Sequence, residues 1–226
     1  MTIWHSGVRR IIGAVTARML LDELRSELVP VEAAIRGHRY LDSFAAALPR
    51  SLERFTGEQY PILTSDRRSF AQLAARFPAG AAGDLFLALA EGEGQALERL
   101  LLLAEELGLD EDRLRRYQPL PAAQAYPAYV AWLALNGSRA DVVLAFLANL
   151  ASWGDNCARM AETLRGRHDT GFFDFFAEPN PGFEDRAMDV ADEGLAAGES
   201  PERARRAARF LQAYELLFWD TLADAL

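Results

Sequence analysis

The chain has 226 residues, half of them apolar, and a formal net charge of −9 at pH 7 that arises from 33 acidic and 24 basic residues. This length and composition are typical of a globular protein with a sizeable core, and the excess of acid disfavours nucleic acids and anionic membranes as main partners. One cysteine excludes an intrachain disulfide framework, and three scattered histidines give no zinc-type spacing.

The N-terminal stretch places basic residues before a short apolar run, RRIIGAVTARMLL at 9–21. Arg18 interrupts this run, and Asp22 and Glu23 continue the same helical pattern, so we interpret the stretch as an amphipathic helix and not as a signal peptide. No part of the chain approaches the ~18 uninterrupted apolar residues that a membrane span requires. We therefore expect a cytoplasmic protein with no membrane partner.

Helical spacing of apolar residues continues along nearly the whole chain, and no segment alternates with a period of two. The first stripe, Leu20 to Leu28, is predicted to end at Pro30, and a later stripe is predicted to end at Pro78. The remaining helices are predicted at Leu85 to Leu107, at 109–117, at Tyr126 to Leu135, at Val142 to Leu164, at about 171–177, at Phe183 to Ala197 and from Ser200 onward. Because no linker, repeat or low-complexity tract divides these helices, we predict a single all-α domain over residues 1–226.

The last predicted helix contains a carboxylate among apolar residues, in the stretch FLQAYELLFWDTL at 210–222. Leu211, Glu215 and Phe218 fall on one face of this helix, so Glu215 lies within an apolar stripe. Two interpretations are open. The carboxylate pairs with an arginine at the edge of the stripe, or it faces a cavity where burial raises its pKa and suits it for proton transfer or for binding an amine.

The segment AYELLFWD at 213–220 resembles the C-terminal signature of the TenA (thiaminase II) family, in which an acid is followed three positions later by Phe and then Trp. Residues 125–164 have the family's order of paired tyrosines, an apolar run, Gly-Ser and a long helix. The middle is also similar to PqqC-like and CADD-like relatives, at 54–78 and in EGEG at 91–94. The resemblance covers roughly residues 35 to 226 and implies a heme oxygenase-like fold, a bundle of about seven or eight helices around a central pocket.

The same resemblance assigns candidate site residues. In TenA enzymes a carboxylate on the last helix pairs with the aminopyrimidine, which makes Glu215 the candidate catalytic residue, with Phe218 beside it in the pocket. Tyr126 and Tyr129 match the family's pocket tyrosines, and Asp66 corresponds to its pyrimidine-binding Asp. Because a buried carboxylate needs a partner, we predict that Tyr126 or Tyr129 is hydrogen-bonded to Glu215.

The family's nucleophilic cysteine has no counterpart at its own position. That position holds Asn149, followed four residues later by the aromatic Trp153, and both are candidate ligand-binding residues. An amide cannot act as the thiolate in covalent catalysis. Cys157 lies further along, about 12 Å away on a helix, so we interpret it as a small buried hydrophobe. A cysteine-dependent thiaminase activity is therefore not expected.

The di-iron oxidases of this fold supply a His-x3-Asp-x2-His run with neighbouring carboxylates. Aligned on FFDFF at 172–176, these three positions hold Phe176, Asn180 and Phe183, whereas iron of this class prefers imidazole and carboxylate ligands. We therefore predict no metal and no cofactor, and we interpret His38, near a helix start, as a solvated or capping residue. Phe176 belongs to a phenylalanine cluster that either walls a ligand pocket or forms core.

The leading prediction is a TenA-like protein that binds or processes a small molecule, a nitrogen heterocycle or an amine, and it leaves open whether the protein is an enzyme. One alternative is a non-catalytic helical interaction protein with a closed pocket, and another is a PqqC-like or CADD-like oxidase. The glycines of EGEG at 91–94 fit either a ligand approach or a tight helix crossing. Because TenA-like proteins self-associate, we expect a homodimer or higher homo-oligomer, with Ile11, Ile12 and Met19 as a candidate contact.

Overall fold

The structure is a computed structural model that describes residues 15–226. These residues form ten α-helices and no strand, which confirms the predicted all-α fold. In chain order the helices are α1 (Ala17–Arg36), α2 (Arg39–Ala46), α3 (Arg50–Arg76), α4 (Gly80–Glu106), α5 (Glu111–Arg116), α6 (Ala125–Asn136), α7 (Arg139–Leu164), α8 (Gly171–Ala177), α9 (Phe183–Ala196) and α10 (Pro201–Asp224). None of these ten helices is long and apolar enough to cross a membrane. Ile11 and Ile12 lie outside the described residues.

Local signals set most helix ends. Ser138 begins α7 with a capping box, because its hydroxyl accepts a hydrogen bond from the Asp141 N–H while the Asp141 carboxylate accepts one from the Ser138 N–H. Gly108 and Gly166 follow the ends of α4 and α7 with φ angles of +69° and +76°, a conformation that glycine adopts without a Cβ penalty. The bounds predicted from these residues are confirmed to within a few positions.

The predicted end of the first helix at Pro30 is wrong. Helix α1 continues through Pro30 to Arg36, although a proline inside a helix removes one backbone hydrogen bond. Leu28 and Ile35, on either side of the proline, are both buried, and α1 packs along α7 and α10. Burial of apolar side chains on both sides of Pro30 therefore outweighs the lost hydrogen bond.

The core consists of two groups of buried apolar residues, and the cavity described below is lined by residues of both. One group includes Leu24 of α1 and Leu144 of α7, and the other includes Phe55 of α3 and Trp219 of α10. Tyr126, at the start of α6, packs against both groups. Helix α7 contacts α1, α8, α9 and α10, so it forms the centre of the bundle together with α10.

Candidate functional site

A cavity of about 840 Å³ lies inside the bundle. It is bordered by residues of α1, α3, α4, α6, α7, α8, α9 and α10 and by the segment 178–181 between α8 and α9. Its aromatic walls include Phe70, Phe146, Trp153, Phe176, Phe183 and Phe218. Its volume lies in the range of small-molecule sites, and its polar groups come from helices that are far apart in the sequence.

Glu215 borders this cavity from α10 and is only 2% exposed. Trp219 Nε1 donates a hydrogen bond of 3.1 Å to Glu215 Oε1, as the i,i+4 spacing on one helix permits. The Ser152 hydroxyl of α7 lies 3.4 Å from Glu215 Oε2 and 3.0 Å from the Asn149 carbonyl oxygen, so these two acceptors share its proton. Burial raises the pKa of Glu215 to about 7, although the hydrogen bonds from Trp219, Ser152 and Asn149 oppose that rise.

The predicted tyrosine partner of Glu215 is therefore wrong, and the two tyrosines lie in different surroundings. Tyr126 borders the cavity, where burial and the nearby carboxyl groups raise the pKa of its phenol well above the usual value. Tyr129 does not border it and packs against Trp132 and Tyr214, with ring centroids 5.7 and 5.3 Å apart. Although Tyr129 follows Tyr126 by less than one turn of α6, its ring packs against Tyr214 of α10 and not against the cavity.

Asp66 and Glu93 bring two more carboxyl groups to the cavity, from α3 and α4. Asp66 is 4% exposed, and burial together with the charge of Glu93 raises its pKa well above the usual value. Burial raises the pKa of Glu93 to about 8. The sequence prediction included Asp66 but missed Glu93. The sequence signal near Glu93 was the EGEG motif, which fits either a ligand approach or a tight helix crossing. Both apply, because Gly92 borders the cavity and Gly94 packs tightly against Arg67.

Asn149 and Trp153 of α7 both border the cavity. Asn149 is 3% exposed, and its side-chain oxygen has no hydrogen-bond partner among the described residues. The Trp153 ring meets Phe176 edge to face at a centroid distance of 5.7 Å. Cys157 is fully buried in the core and does not border the cavity, and burial raises the pKa of its thiol. The interpretation of Cys157 as a small core hydrophobe is confirmed.

The residues present do not fit the di-iron centre known on this fold. Phe176, Asn180 and Phe183 all border the cavity, where two hydrocarbon rings and an amide replace the two imidazoles and the carboxylate. Within residues 15–226, no group of three or more His, Cys, Asp or Glu side chains could hold a metal ion. His38 caps α2, accepts a hydrogen bond from Tyr40 N and lies 3.0 Å from Asp220 Oδ1, which confirms a capping role.

The fold and its central cavity define an all-α protein of the heme oxygenase-like class. Residues 47–225 match the TENA/THI-4/PQQC family, and the chain belongs to this family. No curated protein matches the chain.

Solved structures show the same fold at low sequence identity. A TenA homologue from Pyrococcus furiosus is 21% identical, with a TM-score of 0.72 over 90% of this chain and 100% of that chain. A TenA homologue protein from P. horikoshii is 18% identical, with a TM-score of 0.73 over 92% and 99%. A TenA homolog from Pseudomonas syringae pv. tomato is 14% identical, with a TM-score of 0.74 over 94% and 97%.

Proposed function

We propose that this TenA-family protein binds a small molecule with an amine or a nitrogen heterocycle in the central cavity, and that Glu215 recognises the nitrogen. One observation carries the proposal: a carboxyl group that is 2% exposed borders a cavity of about 840 Å³. Its pKa of about 7 allows it to accept a hydrogen bond from an amine as a carboxylate, or to donate one to a ring nitrogen as an acid.

The surrounding residues suit a planar ligand. Phe218, Phe176 and Trp153 contribute aromatic rings to the wall of the cavity that also carries the polar groups. The free side-chain oxygen of Asn149 accepts a donor from the ligand. This arrangement orients a ring by stacking and reads its nitrogens by hydrogen bonds.

The same residues support recognition of a ligand, with or without proton transfer by Glu215. They do not support covalent catalysis. The position of the family's nucleophile holds Asn149, whose amide forms no covalent intermediate. Cys157 is buried away from the cavity. If turnover occurs, Glu215 is the proton carrier that the geometry offers.

The alternative of an interaction protein with a closed pocket is less well supported. A filled cavity would have placed the phenylalanines against Glu215, whereas the cavity is open and its border includes the polar side chains of Asp66, Glu93, Asn149 and Glu215. The oxidase alternative lacks a ligand set within residues 15–226. A thiamine-related ligand and a cytoplasmic location remain proposals that rest on the family resemblance and on the sequence pattern.

We also propose self-association. Met19 and Val29 of α1 are more than half exposed, and Trp132 and Leu135 of α6 are 46% and 65% exposed. Helix α6 carries no charged residue, and a helix that is apolar on all sides is usually covered. Light scattering after size-exclusion chromatography at micromolar concentration tests this, and a monomeric mass contradicts it.

Calorimetric titration with 4-aminopyrimidine, and with toluene as a ring of similar size without nitrogen, tests the ligand proposal. We expect 4-aminopyrimidine to bind the wild type, toluene to bind much more weakly, and Glu215→Gln to weaken the binding of 4-aminopyrimidine by about tenfold or more. Glu91→Gln is the matched control, because Glu91 is exposed on α4 and does not border the cavity. Equal binding of both rings, or equal effects of the two substitutions, contradicts the proposal.

A further inference from the structure

Helix α4 brings a second carboxyl group, that of Glu93, to the cavity, and the proposed role of Glu215 does not involve it. Glu93 borders the cavity from α4 beside Asp66 of α3, and these two helices pack along each other. Gly92 also borders the cavity, and no heavy atom lies within 4 Å of the place where a Cβ would stand. Helix α4 therefore leaves open space next to the two carboxyl groups.

Two buried oxygens that border the same cavity lack a partner in the described part of the chain. They are Oδ1 of Asp66 and Oδ1 of Asn149, on side chains that are 4% and 3% exposed. A buried acceptor without a donor is unfavourable. Both oxygens belong to residues that border the cavity. They are placed to accept donors from a ligand.

Among the described residues 15–226, no arginine forms an ion pair with either carboxyl group. Arg67 packs across α4 and, within residues 15–226, forms no ion pair with Asp66 or Glu93. Arg25 borders the cavity, but its guanidinium donates a hydrogen bond of 2.7 Å to Glu184. Besides the pair itself, Arg25, Glu184 and Glu215, the other charged residues at the cavity border are Asp155 of α7, Glu178 after α8 and Arg186 of α9. Within the described part of the chain, the pair thus lacks a cationic partner that would stabilise its ionised form.

We propose that Asp66 and Glu93 form a second subsite that receives a protonated amine, so that the ligand is a diamine or polyamine with one nitrogen at Glu215 and another at this pair. The inference rests on the proposed function of Glu215 and specifies its ligand class. The charges of Asp66, Glu93 and Glu215 all contribute to the raised pKa of Tyr126. This is consistent with both subsites lying in one cavity.

An ammonium group suits this pair better than a metal ion does. It brings three hydrogen-bond donors and one positive charge, which satisfy the unpaired oxygen of Asp66 and stabilise a carboxylate in this buried place. Because the pKa of Glu93 is raised to about 8, Glu93 is largely protonated at neutral pH. Binding of an ammonium group therefore displaces a proton from the pair.

Titration calorimetry with diamines and monoamines of equal chain length tests the inference. The probes are putrescine with butylamine, and cadaverine with pentylamine. We expect at least one diamine to bind the wild type about tenfold or more tightly than its monoamine. Glu93→Gln removes most of this ratio, because it weakens binding of the diamine more than binding of the monoamine, whereas the control Glu91→Gln keeps the ratio.

The outcomes separate this inference from the proposed function. If no diamine exceeds its monoamine, or if Glu93→Gln weakens both equally, the second subsite is wrong, while amine binding that depends on Glu215 leaves the proposed function in place. If neither amines nor 4-aminopyrimidine bind, both proposals fall. Should Glu93→Gln not fold, proton release by the wild type decides in its place. Greater release with the diamine supports the subsite, and equal release overturns it.

Discussion

Replacing Glu215 by Gln should change how the stability of the protein depends on pH. The substitution keeps the shape of the side chain and the oxygen that accepts the hydrogen bond from Trp219, but it removes the ionisable group. The pKa of Glu215 is about 7 in the folded protein, against 4.5 for an ordinary glutamate. At about 1.4 kcal/mol per pKa unit, ionisation of buried Glu215 costs the folded protein about 3 kcal/mol.

The sign follows from the direction of the pKa shift. Because the pKa of Glu215 is higher in the folded protein than in the unfolded chain, the folded protein binds the extra proton between pH 4.5 and about pH 7. The free energy of unfolding of the wild type therefore falls as the pH rises through this window. Asp66 and Glu93 titrate in the wild type and in the variant, so their contribution cancels in the difference between the two proteins.

Urea unfolding at about pH 5 and about pH 8 measures this difference. We expect the stability of Glu215→Gln relative to wild type to increase by about 2.5 kcal/mol between these two pH values, because part of the effect is already present at pH 5. Glu91→Gln, which changes an exposed glutamate of α4, should show no comparable increase. A difference that is independent of pH, or that moves in favour of the wild type at the higher pH, would refute the assignment of Glu215 as a buried carboxyl.

Three further outcomes are expected. Gly57→Ala places a Cβ 2.6 Å from the Tyr117 ring and should lower the free energy of unfolding by about 1–3 kcal/mol, whereas Gly92→Ala, where the space is open, should not; equal losses in urea unfolding contradict this. Cys157→Ser should leave ligand affinity nearly unchanged in calorimetry, because Cys157 does not border the cavity; a large loss argues for a functional thiol. The purified protein should contain less than one iron per chain by elemental analysis, since Phe176 is one of the residues at the ligand positions; one equivalent, lost on changing the nearby carboxylates, overturns this.

The positions of the helices could be predicted from the sequence because their signals are local. The capping box at Ser138, the glycines after α4 and α7 and the helical spacing of apolar residues each act within a few residues of the chain. The same is true of the acid, Phe and Trp of α10, which identified Glu215 as a candidate and led to the family. That residue does border the cavity, with Asp66, Tyr126, Asn149, Trp153, Phe176 and Phe218.

The tertiary structure decided which side chain meets which, since periodicity gives the face of a helix but not its neighbour. Packing on both sides of Pro30 carries α1 past the proline. The packing of α6 on α10 places Tyr129 against Tyr214, and Trp219 and Ser152 are the partners of Glu215. The packing of α3 along α4 turns Glu93 from an ordinary helix glutamate into the neighbour of Asp66, because only the fold brings carboxyl groups from different helices into one cavity.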